Sequence, residues 1–272
     1  MCSLRAARAM KMGFENGAAS RLSKPAVRYL YKYGTLAVPD RLRTILLEDK
    51  LYFPTARELN DPTESLPTYA DPSLDELIDY LVGQYRVDHP HATAADLVMA
   101  DVVIRKTSTT MGRDTVLREM RRLFDEEMEG RYGILSLSKC KDSLPMWAHY
   151  GGGHTGYCLE FRNERELVGY EVFYGDKIPL RFSPDKDLNQ ADFLFTKHPN
   201  WAPEKEVRVL VKPPGSHFFS PDLLVSLALG KDVTAENERS VVEWVRARRL
   251  PLNVFTMSFD RASGELTRKA IA

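Results

Sequence analysis

The sequence predicts an α+β fold built on a mixed, largely antiparallel sheet. Short aromatic-rich or alternating runs indicate strands in both halves of the chain, and helical patterns are clustered in one block between them. Clustered helices favour this class over a regularly alternating parallel sheet. Hydrophobic residues make up 43% of the 272 residues. That share is enough for a buried core, so a chain that is disordered throughout is excluded.

The charge balance excludes a general attraction to nucleic acid or to acidic lipid. Lys and Arg together number 38, as do Asp and Glu, so the formal net charge is zero. Three cysteines are too few for a disulfide framework, which favours a reducing compartment. No apolar run reaches the roughly 18 residues that a membrane span needs. We therefore expect a cytoplasmic protein without a membrane partner.

Residues 1–26 predict a basic, flexible leader, and residues 27–272 predict a single α+β domain. The leader has one acidic residue, Glu15, against five basic ones: Arg5, Arg8, Lys11, Arg21 and Lys24. It lacks the apolar stretch of a secretory signal, and dispersed charges near a terminus are usually solvated. A basic arm that contacts nucleic acid is the alternative.

The first predicted elements are two strands and a helix. Tyrosines at 29, 31 and 33 indicate a short strand that ends at Gly34 and carries all three rings on one face. Residues 51–53 indicate a second strand. A helix between them is indicated by one apolar stripe, formed by Leu42, Ile45 and Leu46. Asn60 and Asp61 then predict a turn, since their side chains bond nearby backbone and a proline follows.

A helical insertion is predicted over residues 71–130. Two helix starts carry capping boxes, in which Ser or Thr precedes an acidic residue by three positions: Ser73 with Glu76, and Thr93 with Asp96. A third, highly charged helix is predicted over 116–129. Strands are then predicted over 133–138, 156–161, 170–174 and 207–211. A last helix, from the cap Thr234 to Val245, precedes a closing strand over 253–258.

Residues 201–211 contain the most informative polar pattern. Alternating valines bury one face of a strand, so Glu206 and Arg208 lie on the other face, with Glu204 on the same side. Neighbouring carboxylates raise a pKa and a guanidinium lowers it, so the three groups tune one another. The alternative is a solvated edge strand with an exposed ion pair that contributes under about 1 kcal/mol.

A second polar pattern lies on the strand over 133–138. Ser136 and Ser138 share one face and offer hydroxyls to a polar ligand, while Trp147 and Tyr150 offer flat surfaces to a ring. Trp147 also has the helical spacing of a core residue. No metal site is predicted, because Cys140, His149, His154 and Cys158 match no usual zinc spacing. Cys158 lies in an apolar strand, where a thiol is generally inert.

Several segments together resemble the bacterial domain of unknown function 2971. The resemblance runs from about Tyr29 to Gly230. Its most specific elements are Asn60-Asp61-Pro62, Met146-Trp147-Ala148-His149-Tyr150, and the spacing of Trp201, Glu204, Glu206 and Arg208. The family label names no reaction, and the company of such domains implies a role in bacterial stress or phage defence.

The chain also resembles, more loosely, mono-ADP-ribosyltransferases of the Arg-Ser-Glu type. Residues 136–138 look like their Ser-Thr-Ser strand, with Leu137 in place of threonine, and residues 204–206 look like their Glu-x-Glu element. The resemblance implies an ADP-ribosyltransferase-like fold and NAD as substrate. Glu206 then stabilises the ribose cation and Glu204 orients the acceptor. The implied binding residues are Ser136 for the ribose, Lys32 or Arg28 for the pyrophosphate, and Tyr31 or Trp147 for stacking on a ring.

Two alternatives remain at this point. A non-catalytic sensor would use Asn60, Asp61, Tyr150 and Glu206 to line a pocket for a nucleotide-like small molecule. A metal-dependent nuclease would join Asp61 or Glu64 to Glu206 around magnesium. The nuclease is disfavoured because Arg208 stands where such sites need a lysine that can release a proton.

Overall fold

A computed structural model describes residues 26–60, 65, 67–176, 182 and 192–271. The helices in these ranges are α1 (Pro39–Glu48), α2 (Leu74–Asp88), α3 (Ala94–Met111), α4 (Arg113–Glu129), α5 (Leu144–His149) and α6 (Ala235–Arg246). The strands are β1 (Tyr29–Gly34), β2 (Lys50–Phe53), β3 (Gly133–Ser138), β4 (Tyr157–Arg162), β5 (Tyr170–Glu171), β6 (Phe173–Tyr174), β7 (Thr196–Lys197), β8 (Glu206–Val211), β9 (Gly215–Phe218), β10 (Leu224–Leu229), β11 (Asn253–Asp260) and β12 (Glu265–Ala270). No helix in the described ranges is both long and apolar enough to cross a membrane.

The chain divides into two compact units. Unit 1 comprises the described residues within 59–131 and 175–197, and unit 2 comprises those within 23–58, 132–174 and 198–272. All but the last residue of the predicted leader lies outside the described residues. The division into a leader and one domain stays a prediction.

Unit 1 contains the helices α2, α3 and α4. Both predicted capping boxes are present at the starts of α2 and α3. The Ser73 hydroxyl accepts the Glu76 N–H at 3.3 Å, and the Glu76 carboxylate accepts the Ser73 N–H at 2.6 Å. These bonds satisfy N–H groups that a helix start leaves without partners, which explains why the sequence alone located both starts.

Unit 2 is built on an eight-stranded sheet with the order β12-β11-β10-β4-β1-β3-β8-β5. Every neighbouring pair is antiparallel except β10 and β11, which are parallel and are joined by α6. The strands β2 and β9 form a separate antiparallel pair. The predicted fold class, a mixed and largely antiparallel α+β protein, is confirmed.

The two faces of this sheet differ in chemistry. The apolar face carries Leu30, Leu159 and Val207, which are fully buried with residues of α1 and α6. Burying each such side chain contributes about 1.5–3 kcal/mol. Because side chains alternate along a strand, the neighbours of these residues point to the opposite side, which we call the polar face. Tyr31 and Tyr33 lie there, packed against α5.

Some elements differ from the sequence expectations. The strand β8 lies between β3 and β5, and its first four residues are buried, so the alternative of a solvated edge strand is wrong. The predicted strand over 170–174 is two short strands separated by Val172. The strands β7, β9, β10 and β12 were not predicted, because their sequences lack clear alternation.

Candidate functional site

One row of polar side chains crosses five adjacent strands of the polar face. Ser226 of β10 pairs in register with Glu160 of β4, and Glu160 pairs with Tyr31 of β1. Tyr31 pairs with Ser138 of β3, which in turn pairs with Glu206 of β8. Directly paired residues project on the same side, so these five side chains, here called the polar row, lie on one line.

Hydrogen bonds join the first half of the polar row. The Tyr31 hydroxyl donates to Glu160 Oε1 at 3.1 Å, and the Ser226 hydroxyl donates to Glu160 Oε2 at 2.5 Å. An Arg268 nitrogen lies 3.7 Å from the same carboxylate. Burial raises the pKa of the Tyr31 phenol, and the charge of Glu160 raises it further. Tyr31 is therefore a protonated donor across the physiological pH range.

Glu206 is held by a buried ion pair with Arg208. The Arg208 Nε lies 2.7 Å from Glu206 Oε1, and its Nη2 lies 3.3 Å from Oε2. The Glu206 side chain is 3% exposed and the Arg208 side chain is 0% exposed. The Glu206 N–H also donates to the Tyr174 hydroxyl at 2.7 Å. Both carboxylate oxygens thus face a guanidinium in a desolvated setting, which neutralises the negative charge that the ADP-ribosyltransferase resemblance assigns to Glu206.

Glu204 is brought next to this pair by the backbone before β8. It ends a short 3-10 helical segment, and Lys205 then takes a left-handed conformation with φ 45°. The Glu204 carbonyl accepts the Ser138 hydroxyl at 2.7 Å, and its Oε1 accepts the Tyr150 hydroxyl at 2.7 Å. The predicted residues Glu204, Glu206, Ser138 and Tyr150 therefore meet at one end of the polar row.

Trp147 covers the polar face from α5. Its side chain is fully buried, and its ring contacts Tyr33 edge to face with centroids 5.3 Å apart. Its indole Nε1 has no hydrogen-bond acceptor among the described residues. Leaving a buried donor unsatisfied costs about 1–3 kcal/mol. The expectation that Trp147 packs in the core is confirmed.

Three further predicted binding residues, Ser136, Arg28 and Lys32, lie in different environments. Ser136 shares the face of Ser138 and pairs in register with Arg208. Arg28 is exposed and lies over the Tyr29 ring, 5.3 Å from its centroid. Lys32 follows Tyr31 on β1 and therefore points to the opposite face.

Of the predicted turn at residues 60 and 61, the structure describes Asn60 alone. Asn60 is exposed and belongs to unit 1. Asp61, and Glu64 of the nuclease alternative, lie outside the described residues. Within the described part of the chain, no group of three or more His, Cys, Asp or Glu side chains is placed to hold a metal ion. Burial raises the pKa of the Cys158 thiol, which keeps it unreactive.

Sequence reasoning missed three members of this site: Glu160, Ser226 and Arg268. A signal for Glu160 existed, since it is the one acidic residue within the apolar strand β4, between Leu159 and Phe161. Ser226 and Arg268 belong to strands that the pattern did not reveal. Their positions in the site depend on how distant strands pair, and this register cannot be read from a single sequence.

Lys32 has an unusual environment on the apolar face. Burial lowers the pKa of its ammonium group to about 8, and the charge of Arg41 acts in the same direction. The charge of Glu206 raises the pKa but does not compensate. A lysine in this setting is a candidate functional group in its own right.

One family model matches part of this chain. Residues 146–209 match the model of a family described as a protein of unknown function (DUF2971). The predicted resemblance to that family is confirmed over residues 146–209, and this stretch contains five of the predicted site residues: Trp147, Tyr150, Glu204, Glu206 and Arg208. No curated protein and no solved structure matches the chain.

We expect the Glu206 and Arg208 pair to show strong energetic coupling. Glu206→Leu leaves a fully buried guanidinium without its carboxylate and should lower the free energy of unfolding by about 3–5 kcal/mol. The double variant Glu206→Leu/Arg208→Met should lose much less than the two single changes combined. Urea unfolding measures all three. The exposed pair Lys50 and Glu48 is the control, and additive losses at Glu206 and Arg208 would contradict the coupling.

We expect Lys32 to make stability depend on alkaline pH. The folded state disfavours the protonated amine and lowers its pKa from 10.5 to about 8. Between these two pH values the unfolded chain binds more protons than the folded protein. The free energy of unfolding should therefore rise by about 1–2 kcal/mol between pH 7 and pH 9.5 relative to Lys32→Met. Denaturant titrations across this range test it. Parallel curves for parent and variant would show that the lysine is not desolvated.

Proposed function

We propose that the polar face of unit 2 binds a small nucleotide-like ligand, with NAD as the candidate. The polar row carries this proposal. Its carboxylate and hydroxyl groups occupy a sheet face where apolar side chains would stabilise the fold more. Burying polar groups costs free energy even when they are paired, and departures from apolar packing concentrate at functional sites.

The chemistry of this face fits a nucleotide. Carboxylates such as Glu204 accept hydrogen bonds from ribose hydroxyls, and a serine hydroxyl donates or accepts. The Trp147 N–H supplies a donor that has no acceptor within the described residues. Tyr29 and Tyr150 are half-buried against the cluster that contains Trp147, and they offer flat surfaces to a base or a nicotinamide ring.

Binding without catalysis is the better supported form of this function. A carboxylate that stabilises a ribose cation needs its negative charge available at the reacting carbon. The guanidinium of Arg208 contacts both oxygens of Glu206, with no exposed surface of its own. Charge neutralised in this way stabilises the fold more than it stabilises a transition state.

NAD at 100 times its dissociation constant should add about 2.7 kcal/mol to the free energy of unfolding. Trp147→Phe removes the indole donor and keeps an aromatic ring, and we expect it to weaken binding up to about tenfold. Trp244→Phe, on the opposite face of the sheet, is the matched control. Thermal unfolding with increasing NAD measures all three proteins. Identical responses of the two variants, or none in the parent, would refute the assignment.

Cleavage of the nicotinamide–ribose bond is the second candidate. It is favoured by the position of Ser138, which bonds the Glu204 carbonyl and pairs in register with Glu206. The Ser138 side chain therefore lies on the same face of the sheet as the Glu206 carboxylate. Glu204 would then orient or deprotonate the acceptor, provided that a bound substrate draws Arg208 away from Glu206.

Release of nicotinamide from NAD tests this second candidate. Glu206→Gln should reduce the rate by roughly 100- to 1,000-fold, since it removes the charge and keeps the shape. Glu243→Gln, an exposed residue of α6, is the control and should retain the parental rate. Circular dichroism shows whether each variant is folded. If Glu206→Gln releases nicotinamide at the parental rate, or if the parent releases none, the catalytic candidate is refuted and only ligand binding remains.

A further inference from the structure

The helix α3 has an apolar face that is exposed. Four large apolar side chains lie there: Val98 (65% exposed), Met99 (64%), Val102 (56%) and Val103 (43%). Because residues four positions apart are neighbours on a helix, these side chains form two adjacent rows. The side of α3 that faces α2 is apolar as well, since Ile104 is buried in one cluster with Ile78 and Val82. A helix that is apolar on opposite sides normally packs on both.

Two more residues extend this face by one helical turn at each end. Ala95 lies three and four positions before the first two residues of the rows, and Lys106 lies three and four positions after the last two. Both are exposed, and Lys106 forms no ion pair within the described part of the chain. We call these six residues the α3 face. An exposed apolar patch with polar groups at its rim marks an interaction surface.

The α3 face is symmetric about its own midpoint, which lies between residues 100 and 101. A second copy of the chain that runs antiparallel about this midpoint brings Val98 level with Val103, and Met99 level with Val102. Apolar side chains then meet apolar side chains along both rows, as the ridges of two packed helices do. The same patch serves both copies, which is what a twofold symmetric dimer requires.

The charges at the two ends of the α3 face favour the antiparallel arrangement. It brings Lys106 of one copy level with Ala95 of the other, whose small side chain leaves room for the lysine stem, beside Asp96. The Asp96 carboxylate accepts the Thr93 hydroxyl at 2.7 Å and the Thr93 N–H at 3.0 Å. These bonds hold the pKa of Asp96 below its ordinary value, so its negative charge is present at neutral pH. A parallel pair would instead place the two Lys106 side chains together, where like charges repel.

We propose that the α3 face is the interface of a homodimer in which a second copy of this chain packs antiparallel on α3. Each end of the interface then carries one pair of Lys106 and Asp96. An interface limited to one pair of helices is smaller than the about 1,200 Å² that stable complexes bury, so we expect a reversible dimer that forms as the protein concentration rises. The α3 face belongs to unit 1 and the polar row to unit 2, so failure of either proposal leaves the other intact.

Sedimentation equilibrium over a range of protein concentrations tests the dimer. Val98→Glu and Val102→Glu each place an unpaired charge in the apolar centre, so we expect dimerisation to weaken at least about tenfold. Both positions are exposed in a single copy, so both variants should stay folded, which circular dichroism verifies. Phe218→Glu, at a side chain of unit 2 that is 72% exposed, is the matched control and should dimerise like the parent. A parent that stays monomeric, or parental affinity in both α3 variants, would overturn the proposal and leave the α3 face to a different protein.

Cysteine cross-linking tests the antiparallel orientation. Met99 lies close to the twofold axis in this arrangement, so Met99→Cys should form an intermolecular disulfide on mild oxidation. Ala95→Cys is the matched control on the same face, because its counterpart lies about 16 Å away along the helix, beyond the reach of a disulfide. Cross-linking of Ala95→Cys would show a parallel pair and contradict the proposal. The parent, with its own cysteines at positions 2, 140 and 158, measures the background.

The salt dependence of the dimer tests the charge pairs. Lys106→Met keeps an unbranched stem and loses the charge. We expect its dimer to respond less to sodium chloride than that of the parent, since exposed pairs of Lys106 and Asp96 are screened by salt. If the parent and this variant respond equally, Lys106 does not meet Asp96 and the proposed arrangement is wrong.

Discussion

The buried ion pair between Glu206 and Arg208 is the interaction on which the polar face depends. A guanidinium with no exposed surface requires a carboxylate partner, and the partner lies two residues earlier on the same strand. This spacing fixes which face of β8 is polar, because a shift of one residue would turn both charges into the apolar core. The register of β8 against β3 then places Ser138 opposite Glu206 and sets the end of the polar row.

The sheet therefore separates two kinds of chemistry. On one side, aliphatic side chains pack with α1 and α6 and supply the stabilising burial. On the other side, hydroxyl and carboxylate groups bond one another, and Trp147 packs in a cluster with Tyr31 and Tyr33. Lys32 is the exception on the apolar side. Burial lowers the pKa of this lysine, so its presence there is a second departure from simple core packing.

Local signals were readable from the sequence, and long-range ones were not. The tyrosine alternation located β1, the capping boxes located α2 and α3, and the valine alternation placed Glu206 and Arg208 on one face of β8. These features depend on residues within a few positions of each other. The sequence did not show that the pair is buried, because burial depends on the neighbouring strands and on α5. The sequence analysis assigned Lys32 and Tyr31 to one ligand. Strand alternation instead places their side chains on opposite faces of the sheet.

The outermost strand, β12, has a consequence for how this sheet meets its surroundings. This strand is mostly solvent-exposed and carries two consecutive basic residues, Arg268 and Lys269. An exposed lysine such as Lys269 on an edge strand discourages the addition of a strand from another molecule, and so protects the protein against aggregation. Arg268 also turns inward, 3.7 Å from Glu160. Local unfolding of β12 would therefore expose the edge of β11 to other molecules. It would also withdraw the positive charge of Arg268 from Glu160.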